Sequence, residues 1–310
     1  MKDITETRSR RARRLLALAL AFALCAFLWQ PGTADTLEKG SKGADVRALQ
    51  TRLMELDYLS GKADDSYSSA TVEAVRAFQG QVNLPCDGIA DEETQSMLFD
   101  ADAPARQAFD FSLMEPYIEE YYFDYEENRW VWESSANYLD EESWPKGSER
   151  GEPYAAMGLY ATGNGKGRQN SISWRFLCFA EEQFLPTKLT VALPNGERYA
   201  AAIRKANRRS TEFPDEVGWC TQVNATLGSR GIEILFTIAH MTDDELDALE
   251  ITLSDGEREM KLDARQSSIS YDPFIEDLRL FVKAWGECGG FSAKMAKESA
   301  ASVSFKKDGK

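Results

Sequence analysis

The pentapeptide Val46-Arg47-Ala48-Leu49-Gln50 returns as Val75-Arg76-Ala77-Phe78-Gln79, and this repeat constrains the chain more than any other feature. Each copy sits in a segment of helical period. Val46, Leu49, Leu53 and Leu56 fall at i, i+3, i+7 and i+10 of one stripe, and Val72, Val75, Phe78 and Val82 form another. Asn83 closes the second helix, because asparagine tolerates the left-handed conformation of a C-terminal cap. A third, short helix is expected from Asp91 as N-cap through Leu98, with Glu92 and Glu93 adding negative charge at its start. The expectation is a compact bundle of three helices, in which Gln50 and Gln79 bridge loops to helices.

The run Gly40-Ser41-Lys42-Gly43-Ala44-Asp45-Val46, followed by Leu49-Gln50, Leu53, Leu56, Tyr58-Leu59, Gly61, Asp64, Tyr67, Thr71, Ala74-Val75, Phe78-Gln79, Leu84, Asp87-Gly88 and Thr94, resembles the type 1 peptidoglycan-binding domain. The resemblance covers residues 38–99. Asp65 and Ser68 stand where the family carries glycines, and Asp91 replaces a third before the last helix. Aspartate accepts a positive φ at some cost and serine less readily. The resemblance implies recognition of wall glycan or stem peptide in a shallow groove near the inter-helix loops. Tyr58, Asp64, Asp65, Tyr67 and Thr71 are the expected contacts, the tyrosines offering a ring face and a hydroxyl, the others hydrogen bonds. Tyr67 fits equally, and Tyr58 better, the description of a core aromatic with a wet hydroxyl.

The N-terminus reads as targeting. Arg8, Arg10, Arg11, Arg13 and Arg14 precede the uncharged run Leu15–Trp29, which Gln30-Pro31-Gly32 breaks. That run suits a signal-peptide core and is short of the roughly 20 residues of a membrane-spanning helix. Gly32 and Ala34 place small residues at −3 and −1 of a cleavage point before Asp35. Residues 1–34 are therefore expected to be a signal peptide, or an anchor with the rest of the chain facing outward.

The chain of 310 residues has a formal net charge of −15 and one histidine, His240. Without the six basic and two acidic residues of 1–34 the remainder stands at −19. Such a balance excludes nucleic acid as a partner, since a phosphate backbone needs a basic face. A lone imidazole excludes zinc amidase and carboxypeptidase sites built on several. No His-Gly-Cys run of the transpeptidase type surrounds Cys178, Cys220 or Cys288.

Residues 100–152 read as an acidic, aromatic connector, with a linker at Ala101–Ala108 and aromatics interleaved with carboxylates over Tyr117–Glu133. The latter fits a sugar-stacking platform, a site for a basic partner, or the first element of the next domain. From 153 to 288 the pattern is mainly β, with strands expected at 155–161, 171–180, 188–193, 198–204, 218–227, 231–239, 249–253 and 257–262. Asn195-Gly196 and Asp255-Gly256 mark hairpin turns, and Thr242 with Glu245 makes a capping box for a helix over 243–248. A final helix follows Asp272-Pro273, carrying Phe274, Leu278, Phe281 and Trp285 on one face. The loop Gly163–Gly167 lacks the pattern of a phosphate site and reads as a hairpin loop. His240 reads as a strand-end residue, and residues 289–310 as a disordered tail.

The fold class expected is thus α+β and multidomain: a three-helix bundle followed by a sandwich-like β domain with a C-terminal helix. Cys178 and Cys220 are candidates for a bridge across sheets. No cofactor, metal or catalytic residue is expected. The function expected is that of an exported protein at the bacterial wall, binding peptidoglycan non-covalently and lacking catalysis. A hydrolase working through carboxylates alone and a β domain that binds another protein are the alternatives. Membrane association is expected only if the N-terminal segment stays uncleaved.

Overall fold

The computed structural model describes residues 35–108, 110, 113, 121–126, 129–133, 154–163, 171–213, 218–266, 273–289 and 301–308. The expected N-terminal signal, the loop at 164–167 and the end of the connector over 134–152 lie outside these residues. Among the described residues no helix is long and apolar enough to cross a membrane.

The repeat folds as expected into α1 (Ala44–Glu55), α2 (Ser69–Gln81) and α3 (Glu92–Phe99). Val46, Leu49, Leu53, Val75, Phe78 and Leu98 are fully buried between them. Asn83 ends α2 at φ 57, and the Asp91 carboxylate accepts a hydrogen bond from the Thr94 amide at the start of α3. The glycine replacements cost little, because Ser68 and Asp91 are extended N-cap residues at φ −85 and −74.

Beyond the bundle, β1 (Tyr121–Asp124), β2 (Arg129–Glu133), β3 (Tyr154–Gly163), β4 (Ser171–Ala180), β5 (Lys188–Ala192), β6 (Arg198–Ala202), β7 (Arg208–Phe213) and β8 (Gly218–Thr226) follow. The chain then forms α4 (Ser229–Ala239), α5 (Asp243–Asp247), β9 (Glu250–Ser254), β10 (Glu259–Leu262), α6 (Phe274–Glu287) and β11 (Lys306–Lys307). The strands make two antiparallel sheets, in the orders β1-β2-β3-β4-β8-β7 and β10-β9-β5-β6-β11. The aromatic segment before 152 is therefore no free connector over its described part. It supplies β1 and β2 to the larger sheet, with Trp132 buried.

Alternation along β4 explains the core. Ile172, Trp174, Phe176 and Cys178 point inward and are buried. Helix α6 lies on this face through its own stripe: Phe274 stacks on Trp174 at 5.9 Å, and Phe281 meets Trp132 edge-on at 5.5 Å. The smaller sheet approaches the larger one where β10 meets β3. The layer over the large sheet is thus helix as well as sheet, which modifies the sandwich expectation.

Three expectations are corrected. The apolar run 231–239 is helix α4, because Ile232, Leu235, Phe236 and Ala239 carry period 3.6 within a segment buried almost all round. His240 is accordingly the C-cap of a helix and not a strand end. The Cys178–Cys220 bridge is absent: both are free thiols on adjoining strands, with Cys178 opposite Thr221 and Cys220 opposite Phe179, so they point to opposite faces of one sheet. Burial pushes the Cys220 thiol up to about 11.

The tail is docked over 301–308. β11 pairs with β6, and Val303 and Phe305 enter the main core. Phe305→Ala should lower stability by about 3 kcal/mol in urea denaturation; an undocked tail would leave it unchanged.

Candidate functional site

The two halves of the bundle repeat their hydrogen bonds as well as their sequence. In the first, the Gln50 side-chain nitrogen donates toward Asp64 Oδ1 (3.0 Å), the Ser66 carbonyl (3.0 Å) and Thr71 Oγ1 (3.1 Å), while its oxygen accepts from the Asp64 amide (2.7 Å). In the second, Gln79 donates toward Asp87 Oδ1 (2.9 Å), the Ile89 carbonyl (2.9 Å) and Thr94 Oγ1 (3.3 Å), and accepts from the Gly88 amide (2.9 Å). Each glutamine is nearly inaccessible and fastens a loop to the first turn of the next helix. The bridging role expected of them is the one they play.

That network decides the fate of the expected ligand contacts. Tyr67 is 1% exposed, and its hydroxyl donates to the Gly88 carbonyl at 2.9 Å, tying one half of the bundle to the other. Tyr58 is buried edge-on to Phe78 and donates to the Pro104 carbonyl. Thr71 is buried beside Gln50. These three belong to the core, and burial holds both phenols well above their ordinary pKa. Asp64 and Asp65 reach the surface. Asp64 is held below the usual carboxylate range, first by the Gln50 amide and then by the Ser66 amide. Asp65 takes the Arg47 guanidinium in a two-pronged pair at 2.8 Å. A groove runs beside them along α1, lined by Ala44, Arg47, Thr51, Arg52 and the half-exposed Phe99.

The two halves differ at several loop positions, and at one of them sequence reasoning missed the consequence. Gly88 stands where the first half has Asp65. Its φ is +75, and a Cβ there would lie 2.6 Å from Val72 Cγ1. Arg76, the counterpart of Arg47, therefore has no aspartate across from it. It meets Glu73 of its own helix at 3.2 Å and reaches beyond the bundle to Glu233 of α4 at 2.6 Å. Around this pair α2 packs on α6, Cys86 enters the core of the β domain, and His240 Nε2 lies 3.2 Å from the Asn83 carbonyl. The second half is the face by which the bundle is fixed to the rest of the chain. No other described element packs on the first half. Among the described residues no cluster of His, Cys, Asp and Glu suits a metal ion.

Residues 42–98 match the model of a putative peptidoglycan binding domain. The remainder of the chain matches no family model. A spore cortex-lytic enzyme of Bacillus cereus is 38% identical over 67 residues, covering 22% of this chain and 26% of that protein. The N-acetylmuramoyl-L-alanine amidase CwlL of Bacillus licheniformis is 40% identical over 68 residues, covering 21% and 19%. A chloroplastic protein disulfide isomerase of Arabidopsis thaliana, pTAC5, is 39% identical over 66 residues, covering 20% and 17%. The chain spans about a quarter or less of the length of these relatives. A solved structure from Clostridium acetobutylicum, a fused zinc-dependent amidase/peptidase with a peptidoglycan-binding domain, aligns over 55% of this chain and 75% of that one at 16% identity. Its TM-score of 0.21 is too low to inform the fold.

The two glutamine networks and the two arginines yield measurable differences. Gln79→Ala strands the Gly88 amide and Ile89 carbonyl and should cost about 2–4 kcal/mol by urea denaturation. A double-mutant cycle on Arg76 and Glu233 should give a coupling of about 1–2 kcal/mol, against about 0.2–1 kcal/mol for the exposed Arg47–Asp65 pair. Equal couplings would contradict the docking role of Arg76.

Proposed function

We propose that this chain is an exported bacterial wall protein whose helical bundle holds it on peptidoglycan without a covalent bond. The observation that carries the reading is the family match over residues 42–98, in a bundle whose two glutamine networks are complete. The open first half supplies the contact surface. Asp64 and Asp65 stand at its rim beside the α1 groove, with Tyr58, Tyr67 and Thr71 holding the loop from within. Recognition there rests on shape and hydrogen bonds, because a strongly acidic chain gains nothing from bulk attraction to an acidic polymer.

Export follows from the basic, then apolar, N-terminal segment, and places the β domain outside the cell at the wall. The enzyme names of the relatives attach to proteins of which this chain covers about a quarter or less, so no lytic activity is carried over from them. The β domain acts in this reading as a fixed partner of the bundle.

Sedimentation with purified sacculi tests the proposal. The full chain should pellet with them at moderate salt and stay bound when the ionic strength is raised severalfold, since the attraction is not bulk charge. A chain left in the supernatant would overturn wall binding. Release of soluble muropeptides during the incubation would replace the binder by a carboxylate-dependent hydrolase.

A further inference from the structure

The docking of the bundle on the β domain encloses a cleft of about 300 Å³ that neither unit builds alone. From the bundle come Arg76 and Asp87; from α4 come Arg230 and Glu233; from the β5–β6 turn comes Glu197 and from β6 Tyr199. Leu193 and Ile234 add apolar wall.

Two guanidiniums share one carboxylate here. Glu233 takes Arg76 at 2.6 Å and Arg230 at 2.9 Å. Arg76 also donates to Glu73 at 3.2 Å and to the Asp87 carbonyl at 3.4 Å, which leaves its buried Nε as the one nitrogen with no hydrogen-bond partner, and the Arg230 side chain is 52% exposed, with donors beyond the one that Glu233 occupies. The acidic side of the cleft is ordered too. Glu197 accepts from the Tyr199 hydroxyl at 2.8 Å and from Lys307 Nζ at 2.7 Å, and the Asn195 side chain accepts from the Glu197 amide in the same turn. Lys307, whose β11 pairs with β6, thus fixes a carboxylate that would otherwise swing free. A cleft with spare guanidinium donors and a fixed carboxylate complements a ligand carrying both charges. Its volume lies at the small end for ligand sites, which suits a peptide end better than a glycan chain.

We propose that this interdomain cleft binds a short peptide with a free carboxyl and a free amino group, the carboxylate on Arg230 and Arg76 and the ammonium on Glu197. This site is separate from the open α1 groove. It rests on the wall-binding reading only for the choice of peptide, the amine-bearing stem of the wall polymer.

Calorimetric titration of the full chain tests it, with an alanyl-glutamyl-lysine tripeptide of wall stereochemistry, its amine-acetylated and carboxyl-amidated forms, and a chitin tetrasaccharide. The free tripeptide should bind, and each blocked form should bind at least about tenfold more weakly. Arg230→Ala and Glu197→Gln should each weaken it similarly, with unchanged thermal melting, while Lys205→Ala, which does not line the cleft, leaves it as it was. Undiminished binding by both cleft variants, or binding of the tetrasaccharide and not the tripeptide, would overturn the cleft. Sacculus sedimentation without tripeptide binding would overturn the cleft and leave the wall reading standing. Tripeptide binding without sedimentation would overturn the wall reading alone.

Discussion

Each half of the helical bundle hangs on one buried glutamine amide. A loop of polar backbone running over an apolar three-helix core must satisfy its amides and carbonyls somewhere, and water is excluded. Gln50 and Gln79 solve this twice in the same way, each binding an aspartate, a loop carbonyl and the threonine at the third position of the next helix. The helices can then close on their leucine, valine and phenylalanine stripes without leaving a polar group stranded beneath the loops. Remove the amide and the loop geometry goes, and with it any surface the loops present.

Near-symmetry then makes the Asp65-to-Gly88 difference informative. With Asp65 present, Arg47 is satisfied within its own half and the surface there is self-contained. With Gly88 in the same place, Arg76 bridges Glu73 of its own helix and Glu233 of α4. The Asp65-to-Gly88 difference thus accompanies the division between a self-contained face and a face that docks. The docked face brings α2 against α6 and Cys86 into the larger core, so the bundle is held at a set position on the β domain and is no bead on a flexible tether.

The bundle was legible in the sequence because its information is local: a stripe of period 3.6, an asparagine cap and an aspartate cap, all within reach of a few residues. Asn83, Asp91 and both glutamines take the roles their chemistry suggests. The strands at 171–180 and 188–193 and the Asn195-Gly196 turn were readable for the same reason. What escaped depends on distance. Residues 231–239 carry so many apolar groups that period 2 and period 3.6 fit alike, and only burial between α6 and the sheets selects the helix. Tyr58 and Tyr67 have the composition of a ligand site and the position of a core, which no spacing distinguishes. The tail looked featureless because Val303 and Phe305 find partners more than 70 residues away, at Thr226 and its neighbours. The outward turn of Arg76 was carried by a signal in plain view, the Asp65-to-Gly88 difference between aligned repeats, whose meaning required the second domain.

The acidity of the chain takes on a different aspect in this light. Against the surplus of carboxylates, Arg47 is held by Asp65 within its own half, while Arg76 joins Glu73 of the bundle to Glu233 of α4. Binding by such a molecule depends on which face is free. Hydrogen–deuterium exchange of the full chain with and without soluble peptidoglycan fragments measures this directly. Wall binding through the open half predicts slowed exchange in α1 and over residues 64–68. Exchange left unchanged there, while the same fragments bind, would contradict it.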